Sequence, residues 1–259
     1  MNKWDRAPLA PIAHRGSPDD FAPPAWSRVK EVFWHLPRML SGLGPLGPRG
    51  PEDGPPVLVI PGFLATDRTT MELRRALARA GWRSHPWLLG MNGGAKADTM
   101  DLLQQRLDAI IADAHQPVLV VGWSLGGMFA RELACRVPEK VRAVITLGSP
   151  FSGNLKTNNN VRGFYELIAG HDVNVPPFEH FRRKPPVPTL SIWSRKDGIV
   201  APSAARGLAH EVDKAVEIDS GHMEFVVSRP ALSAIVREIR LFLTAQEGAP
   251  PVMGRVAAA

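Results

Sequence analysis

The sequence predicts an α/β domain with a doubly wound, mostly parallel sheet of about six strands and helices on both faces. The first indication is that short apolar runs alternate with segments whose apolar residues recur at three- and four-residue steps. Such uninterrupted apolar runs are typical of parallel strands that are buried on both faces. The second indication is a glycine-flanked serine between one such strand and one such helix.

The predicted strands cover residues 57–60, 82–87, 118–121, 141–147, 189–193 and 215–218. The predicted helices cover residues 69–79, 99–114, 125–137, 202–209 and 229–243. The apolar residues assigned to the 99–114 helix are Leu102, Leu103, Leu107, Ile110 and Ile111.

Composition excludes several classes of protein. The 259 residues are enough for one large domain, and a hydrophobic content of 44% is ordinary for a soluble globular protein. The net charge is +6, but the one dense basic cluster, residues 182–184, has no interleaved aromatic residues, so we expect a solvated basic surface and no nucleic-acid partner. No apolar run approaches the roughly 18 residues of a membrane span. Residues 1–16 have no apolar segment typical of a secretory signal, so we expect a cytoplasmic location. Cys135, the single cysteine, is expected to be a small core residue.

The serine is Ser124, in the segment Gly122-Trp123-Ser124-Leu125-Gly126. A G-x-S-x-G pattern between a strand and a helix predicts a nucleophile elbow. The turn is so tight that Ser124 must adopt a strained backbone conformation, and a Cβ at either flanking glycine would collide with neighbouring backbone. The same turn places the Leu125 N–H at a helix N-terminus, where it can bind a developing oxyanion.

The main domain is predicted to cover residues 56–245. Three segments do not follow its alternation of strands and helices: one before it, one inserted within it and one after it. Residues 1–55 form an N-terminal extension with one predicted amphipathic helix, whose apolar face consists of Trp26, Val29, Val32, Phe33, Leu36 and Leu40. We expect this helix to pack on the main domain, and weak contact with a membrane surface is the alternative. Residues 151–188 form a long irregular insertion with one short helix around 161–168, which we interpret as a cap or lid. Residues 246–259 are expected to be a flexible tail.

A serine hydroxyl needs a base to remove its proton. In a doubly wound sheet that base must come from a loop at the carboxyl edge, where Ser124 lies. His222 follows the last predicted strand and Asp197 follows the strand before it, so both are candidates. Asp219 and Asp172 compete with Asp197, but Asp219 is only three residues from His222, too local for the usual opposing geometry.

Four segments together resemble the α/β-hydrolase superfamily over roughly residues 57–245. They are the elbow, the turn at 61–63 (Pro-Gly-Phe), the loop at 197–200 (Asp-Gly-Ile-Val) and residues 220–222 (Ser-Gly-His). The absence of clear strands before residue 57 is similar to bacterial lipases, whereas the His-Gly-Gly-Gly signature of another esterase branch is missing.

The resemblance implies a role for each matching residue. Ser124 would be the nucleophile, His222 the base and then the acid, and Asp197 the carboxylate that orients His222. The Phe63 N–H would join the Leu125 N–H in an oxyanion hole.

The reaction expected from these residues is transfer of an acyl group to water, hence a serine esterase or lipase acting on a small-molecule ester or lipid with a hydrophobic acyl group. The residues expected to contact the substrate are Leu64, Trp123, Phe151, Phe164, Phe178 and Met223. No cofactor is expected, and no metal, because the histidines at 14, 85, 115 and 180 lack paired metal-ligand spacing. A thioesterase or amidase with the same triad, a lyase or haloperoxidase of the same fold, and a non-catalytic lipid-binding or interaction protein are the alternatives. The sequence leaves the oligomeric state open.

Overall fold

The structure, a computed structural model, describes residues 50–153 and 180–247. Its strands are β1 (Pro56–Ile60), β2 (Arg83–Pro86), β3 (Val118–Trp123), β4 (Val141–Leu147), β5 (Thr189–Trp193) and β6 (Lys214–Glu217). They form a six-stranded sheet in the order β2-β1-β3-β4-β5-β6, and every neighbouring pair is parallel. The predicted parallel α/β sheet is therefore confirmed. Because all strands run the same way, their carboxyl ends share one edge, and the loops that leave this edge can converge.

The helices alternate with these strands. They are α1 (Met71–Arg79), α2 (Thr99–Ala114), α3 (Leu125–Arg136), α4 (Pro202–Arg206), α5 (Glu224–Val227) and α6 (Arg229–Glu247). Three of the predicted helix ends differ from the observed ones by two residues or more. The first helix begins at Met71, two residues late, and α4 ends at Arg206 because Gly207 follows it with φ of 74°. The last helix continues to Glu247, beyond the predicted end at residue 243.

Two apolar cores cover the two faces of the sheet, because successive strand residues point to opposite sides. In β1, Leu58 and Ile60 belong to the core that includes residues of α2 and α3. Val57 and Val59 belong to the other core, which includes residues of α1 and α6. All four side chains are fully buried, so β1 is a central strand and has no solvent-facing side.

One of the apolar residues named in the predicted 99–114 helix faces solvent. Leu103, Leu107 and Ile110 are buried in α2, but Leu102 is 38% exposed and Ile111 is half-buried. The side chain of Leu102 is rotated by about 100° from that of Leu103 around the helix axis. It therefore lies beside the buried stripe and faces solvent.

Several predictions concern residues outside the described ranges. These are the amphipathic helix of residues 1–55, the short helix around 161–168 and the tail after residue 247. Among the helices of residues 50–153 and 180–247, none combines the length and the hydrophobicity needed to cross a membrane.

Candidate active site

Ser124 lies in the turn between β3 and α3, with φ of 55° and ψ of −124°. This conformation costs a non-glycine residue free energy, so the surrounding structure has to hold it. A Cβ on Gly122 would lie 2.2 Å from the Gly126 carbonyl oxygen, and a Cβ on Gly126 would lie 2.3 Å from the Ile60 carbonyl oxygen. The predicted collision at both flanking glycines is therefore confirmed. The Ser124 N–H donates to the Leu147 carbonyl oxygen at 2.8 Å, which ties the turn to the end of β4.

Two backbone segments that could stabilise an oxyanion lie beside Ser124. Leu125 is the first residue of α3, where backbone N–H groups have no acceptor within the helix. Phe63 is half-buried in the turn of residues 61–65, which follows β1. This turn packs directly on the elbow, because a Cβ on Gly62 would lie only 3.0 Å from the Ser124 Cβ.

His222 and Asp197 form a buried pair in the loops that follow β6 and β5. The Nδ1 atom of His222 lies 2.7 Å from Asp197 Oδ2, and the two side chains are 3% and 1% exposed. The other carboxylate oxygen, Oδ1, accepts hydrogen bonds from the N–H groups of Ile199 and Val200, both at 2.8 Å. These two donors fix the carboxylate, so its second oxygen is aimed at the imidazole.

The competing carboxylate Asp219 has different surroundings. Its side chain is 73% exposed and pairs with Lys196, whose Nζ lies 2.7 Å from Asp219 Oδ1. An exposed carboxylate paired with a lysine is an ordinary surface ion pair. Asp172, the other competitor, lies outside the described residues.

Trp123 connects the serine turn to the loop that carries His222. The indole Nε1 donates to the His222 carbonyl oxygen at 3.1 Å, and the two ring centroids are 5.4 Å apart. Gly148, directly after β4, leaves room for the pair, because a Cβ there would lie 2.9 Å from Asp197 Oδ2 and 3.3 Å from His222 Nδ1. The carboxyl edge of the sheet thus brings the serine turn, the histidine loop and the aspartate loop together.

The residues expected to contact substrate are distributed differently. Trp123 and Met223 are buried, and Leu64 is half-buried with φ of 57°. Phe151, predicted to contact the substrate from the start of the cap or lid segment, is fully buried in the core, where the Arg131 guanidinium carbon lies 4.0 Å above its ring centroid. It is a core residue because its ring faces the interior instead of an open cleft. Phe164 and Phe178 lie outside the described residues.

Sequence reasoning missed a fully buried arginine in α3. The Arg131 guanidinium donates to the carbonyl oxygens of Phe181, Arg183 and Glu211 at 2.6 to 3.0 Å. Burial lowers the pKa of Arg131 to about 10. Arg131 also stacks on Phe151, so it contacts described residues on both sides of the segment 154–179, which the structure does not describe. The available signal was the adjacent charged pair Arg131-Glu132 in the middle of a largely apolar helix after the elbow, because buried charges require partners.

The next residue, Glu132, is also fully buried. Its Oε2 accepts from the His180 N–H at 2.6 Å, and its Oε1 lies 2.9 Å from Arg136 Nε and 3.3 Å from His180 Nδ1. Burial alone would raise the pKa of Glu132, but the hydrogen bonds from Arg136 and His180 outweigh it and hold the pKa below its ordinary value. Cys135 lies half-buried next to these groups, and burial raises the pKa of its thiol.

Other kinds of site have little support in the described part of the chain. Within residues 50–153 and 180–247, no group of three or more His, Cys, Asp or Glu side chains is arranged to hold a metal ion. A groove of about 550 Å³ between α1 and α6 is lined by Arg79, Arg229 and Arg240 among others, and it includes none of the predicted site residues.

The parallel sheet, the strained serine turn and the buried Asp–His pair at the same edge define an α/β-hydrolase fold. A family model for the alpha/beta hydrolase fold matches residues 111–174. The family match spans 64 of the 259 residues, and together with the structural likeness it shows that the chain has an α/β-hydrolase fold.

Known relatives resemble parts of this chain or its fold. A 47-residue segment is 43% identical to the pimeloyl-(acyl-carrier protein) methyl ester esterase of Shewanella woodyi, and it spans only 18% of this chain and 18% of that protein. Among solved structures, a pyrethroid hydrolase is similar with a TM-score of 0.54 at 16% identity, covering 76% of this chain and 100% of that one. An α/β-hydrolase enzyme from a sediment metagenome of the Mar Chica lagoon, Morocco, gives 0.53 at 18% identity, covering 77% and 94%. At these identities the structural likeness concerns the fold alone.

Proposed function

We propose that this protein is a serine hydrolase that cleaves carboxylic ester bonds of hydrophobic acyl substrates through an acyl-enzyme. The observation that carries the proposal is the buried Asp197–His222 pair, with 2.7 Å between Oδ2 and Nδ1, at the sheet edge where Ser124 is held in a strained turn. A strained residue and a buried carboxylate–imidazole pair both cost free energy in folding, and such features cluster at functional sites.

The proposed first step is attack of the Ser124 hydroxyl oxygen on the ester carbonyl carbon. His222 Nε2 accepts the hydroxyl proton, and the resulting imidazolium is stabilised by the Asp197 carboxylate at Nδ1. The same proton then passes to the alkoxide oxygen, and the alcohol leaves. Water, deprotonated by His222, attacks the acyl-enzyme, and the acid is released as Ser124 regains its proton.

The negative charge on the carbonyl oxygen of the tetrahedral intermediate needs hydrogen-bond donors that are already in position. We assign this role to the Leu125 N–H at the start of α3 and the Phe63 N–H in the turn beside it. Removing one such donor costs about 3 kcal/mol in other hydrolases. Backbone donors suit the role because their positions are fixed before the substrate binds.

The proposed substrate class is supported by a sequence relative and by the composition of the insertion. The relative from Shewanella woodyi is named as an esterase, which agrees with ester cleavage. A hydrophobic acyl group is proposed because the insertion contains Phe164 and Phe178, which remain candidate contacts for the substrate. A thioester or an amide could be attacked by the same three groups, so the activity assay has to include both.

The test is a panel of p-nitrophenyl esters from acetate to palmitate, run beside an acyl thioester and an anilide. We expect ester turnover to dominate and to rise from short toward longer acyl chains. Ser124→Ala should lose about 10⁶-fold in kcat, the scale reached when a nucleophilic serine is removed. Ser84→Ala is the matched control, because Ser84 is a buried serine in β2, away from the edge that carries Ser124, and this variant should keep the wild-type rate.

Faster cleavage of the thioester than of any ester would replace the ester proposal with a thioesterase. Full ester turnover in Ser124→Ala would contradict the nucleophile assignment. Absence of all turnover in folded wild-type protein would favour a non-catalytic binding protein on this scaffold.

A further inference from the structure

Asn92 lies in the loop between β2 and α2 and is 1% exposed. Both polar atoms of its side chain are hydrogen-bonded: Nδ2 donates to the Pro61 carbonyl oxygen at 2.8 Å, and Oδ1 accepts from the Gly94 N–H at 3.2 Å. Its backbone is also paired with the turn that follows β1. The Leu64 N–H donates to the Asn92 carbonyl oxygen at 2.8 Å, and the Asn92 N–H donates to the Ala65 carbonyl oxygen at 2.9 Å.

These bonds hold the turn of residues 61–65 on both sides of Phe63. The side-chain amide holds Pro61, and the backbone pair holds Leu64 and Ala65. The Phe63 N–H lies in the plane of the peptide that joins Gly62 to Phe63. The peptides before and after it carry the Pro61 carbonyl and the Leu64 N–H, and Asn92 binds both groups. Because these two planar peptides are fixed, the direction of the N–H between them is restricted. Leu64 has φ of 57°, a conformation that a leucine keeps only where its neighbours impose it.

The Pro61 carbonyl also lies against the elbow helix. A Cβ on Gly126 would lie 2.7 Å from the Pro61 oxygen and 2.3 Å from the Ile60 oxygen. The Pro61 carbonyl is therefore between the Asn92 amide and the backbone of α3. This arrangement sets the distance between the two backbone segments that supply the proposed oxyanion donors, Phe63 and Leu125.

We propose that Asn92 is a positioning residue that fixes the Phe63 N–H relative to Ser124 in the reacting enzyme. This inference rests on the proposed function, because it gives Asn92 a role in binding the oxyanion. The chemistry needs an amide at this position, since one side-chain atom must donate to a carbonyl and the other must accept from an N–H. Asp has the same shape and can accept from Gly94, but an ionised carboxylate cannot donate to Pro61.

The test uses the full chain with Asn92→Asp and Asn92→Ala. We expect kcat for the best p-nitrophenyl ester to fall roughly 10- to 100-fold, because a displaced donor weakens oxyanion stabilisation without removing it. KM should change by less than about threefold, since the bond is needed in the transition state and not in the ground state. Affinity for 1,1,1-trifluoro-2-dodecanone should fall by the same factor as kcat, because its adduct with Ser124 carries an oxyanion.

Thr189→Val is the matched control. Thr189 is fully buried, and its Oγ1 donates to the Val187 carbonyl oxygen at 2.9 Å at the start of β5, the sheet edge opposite the serine. Loss of the Thr189 hydroxyl should lower the melting temperature but leave kcat and the ketone affinity unchanged. The Asn92 variants would give the same result if Asn92 had only a structural role. If Asn92→Asp does not fold, Asn92→Ala removes the donor without placing a carboxylate against a carbonyl.

A folded Asn92 variant with wild-type kcat and ketone affinity would overturn the inference and leave the proposed function intact. Wild-type protein that neither hydrolyses any ester nor binds the ketone would refute the proposed function, and the role of Asn92 with it.

Discussion

The Asp197→Asn variant should separate the roles of the two aspartates near His222. In the folded protein Asp197 Oδ1 accepts from the N–H groups of Ile199 and Val200, both at 2.8 Å. In the variant the asparagine oxygen has to take that position, because an amide NH₂ cannot accept from N–H donors. The NH₂ group is then directed at His222 Nδ1. The imidazole must accept there, so its proton moves to Nε2, the nitrogen that should receive the Ser124 proton.

The loss of the correct imidazole tautomer determines how far kcat falls. We expect kcat to fall by up to about 10⁴-fold, which corresponds to about 5.4 kcal/mol in the activation barrier. The shapes of Asp and Asn are nearly the same and both backbone hydrogen bonds are kept, so the melting temperature should change little. The assay is steady-state turnover of the best p-nitrophenyl ester, with thermal unfolding of the same sample.

Asp219→Asn provides the matched control, with the same chemical change three residues from His222. Asp219 is exposed and pairs only with Lys196 among the groups that the structure describes around it. A surface ion pair contributes about 0–1 kcal/mol, so its turnover should stay close to the wild-type rate. A large loss in Asp219→Asn together with near-normal turnover in Asp197→Asn would refute the assignment of Asp197.

Three further variants test the packing around the site. Gly122→Ala should destabilise the fold by roughly 1–3 kcal/mol, because its Cβ would lie 2.2 Å from the Gly126 carbonyl oxygen. Urea unfolding beside Gly93→Ala, where a Cβ meets nothing within 4 Å, measures the difference. Glu132→Gln should lower stability at pH 7, since a carboxylate with a depressed pKa stabilises the fold above its unfolded pKa. That deficit should shrink as the pH falls below 4.5 and through the folded pKa, and a deficit independent of pH would contradict the ionised carboxylate. Trp123→Phe keeps an aromatic ring but removes the indole donor, so kcat should fall several-fold in protein that melts normally, and an unchanged kcat would exclude a role for that hydrogen bond.

The order of strands and helices could be predicted because the information is local. Apolar runs and helical spacing are visible within ten to fifteen residues, and they gave the sheet and most helix boundaries. The elbow is equally local, since both glycines and the serine lie in five consecutive residues. The exposure of Leu102 could not be predicted, because two adjacent apolar residues, Leu102 and Leu103, leave the exact edge of the buried stripe undetermined.

The contacts that organise the site could not be predicted, since they join distant parts of the chain. The Asn92 side chain reaches Pro61, 31 residues away, and Arg131 reaches Phe181, 50 residues away. Neither pair has a sequence pattern, because each contact exists only when the strands have assembled in their final order. The Asp197–His222 pair was expected from the resemblance and not from a local pattern, since it requires β5 and β6 to be neighbours.

Ser124 as the nucleophile is tested most directly by labelling the 259-residue chain with a fluorophosphonate and locating the modified residue by peptide mass spectrometry. The serine oxygen should displace fluoride and form a phosphonate ester on Ser124, with no label in Ser124→Ala and a much slower reaction in Asp197→Asn. Modification of a different residue, or undiminished labelling of Ser124→Ala, would contradict the assignment.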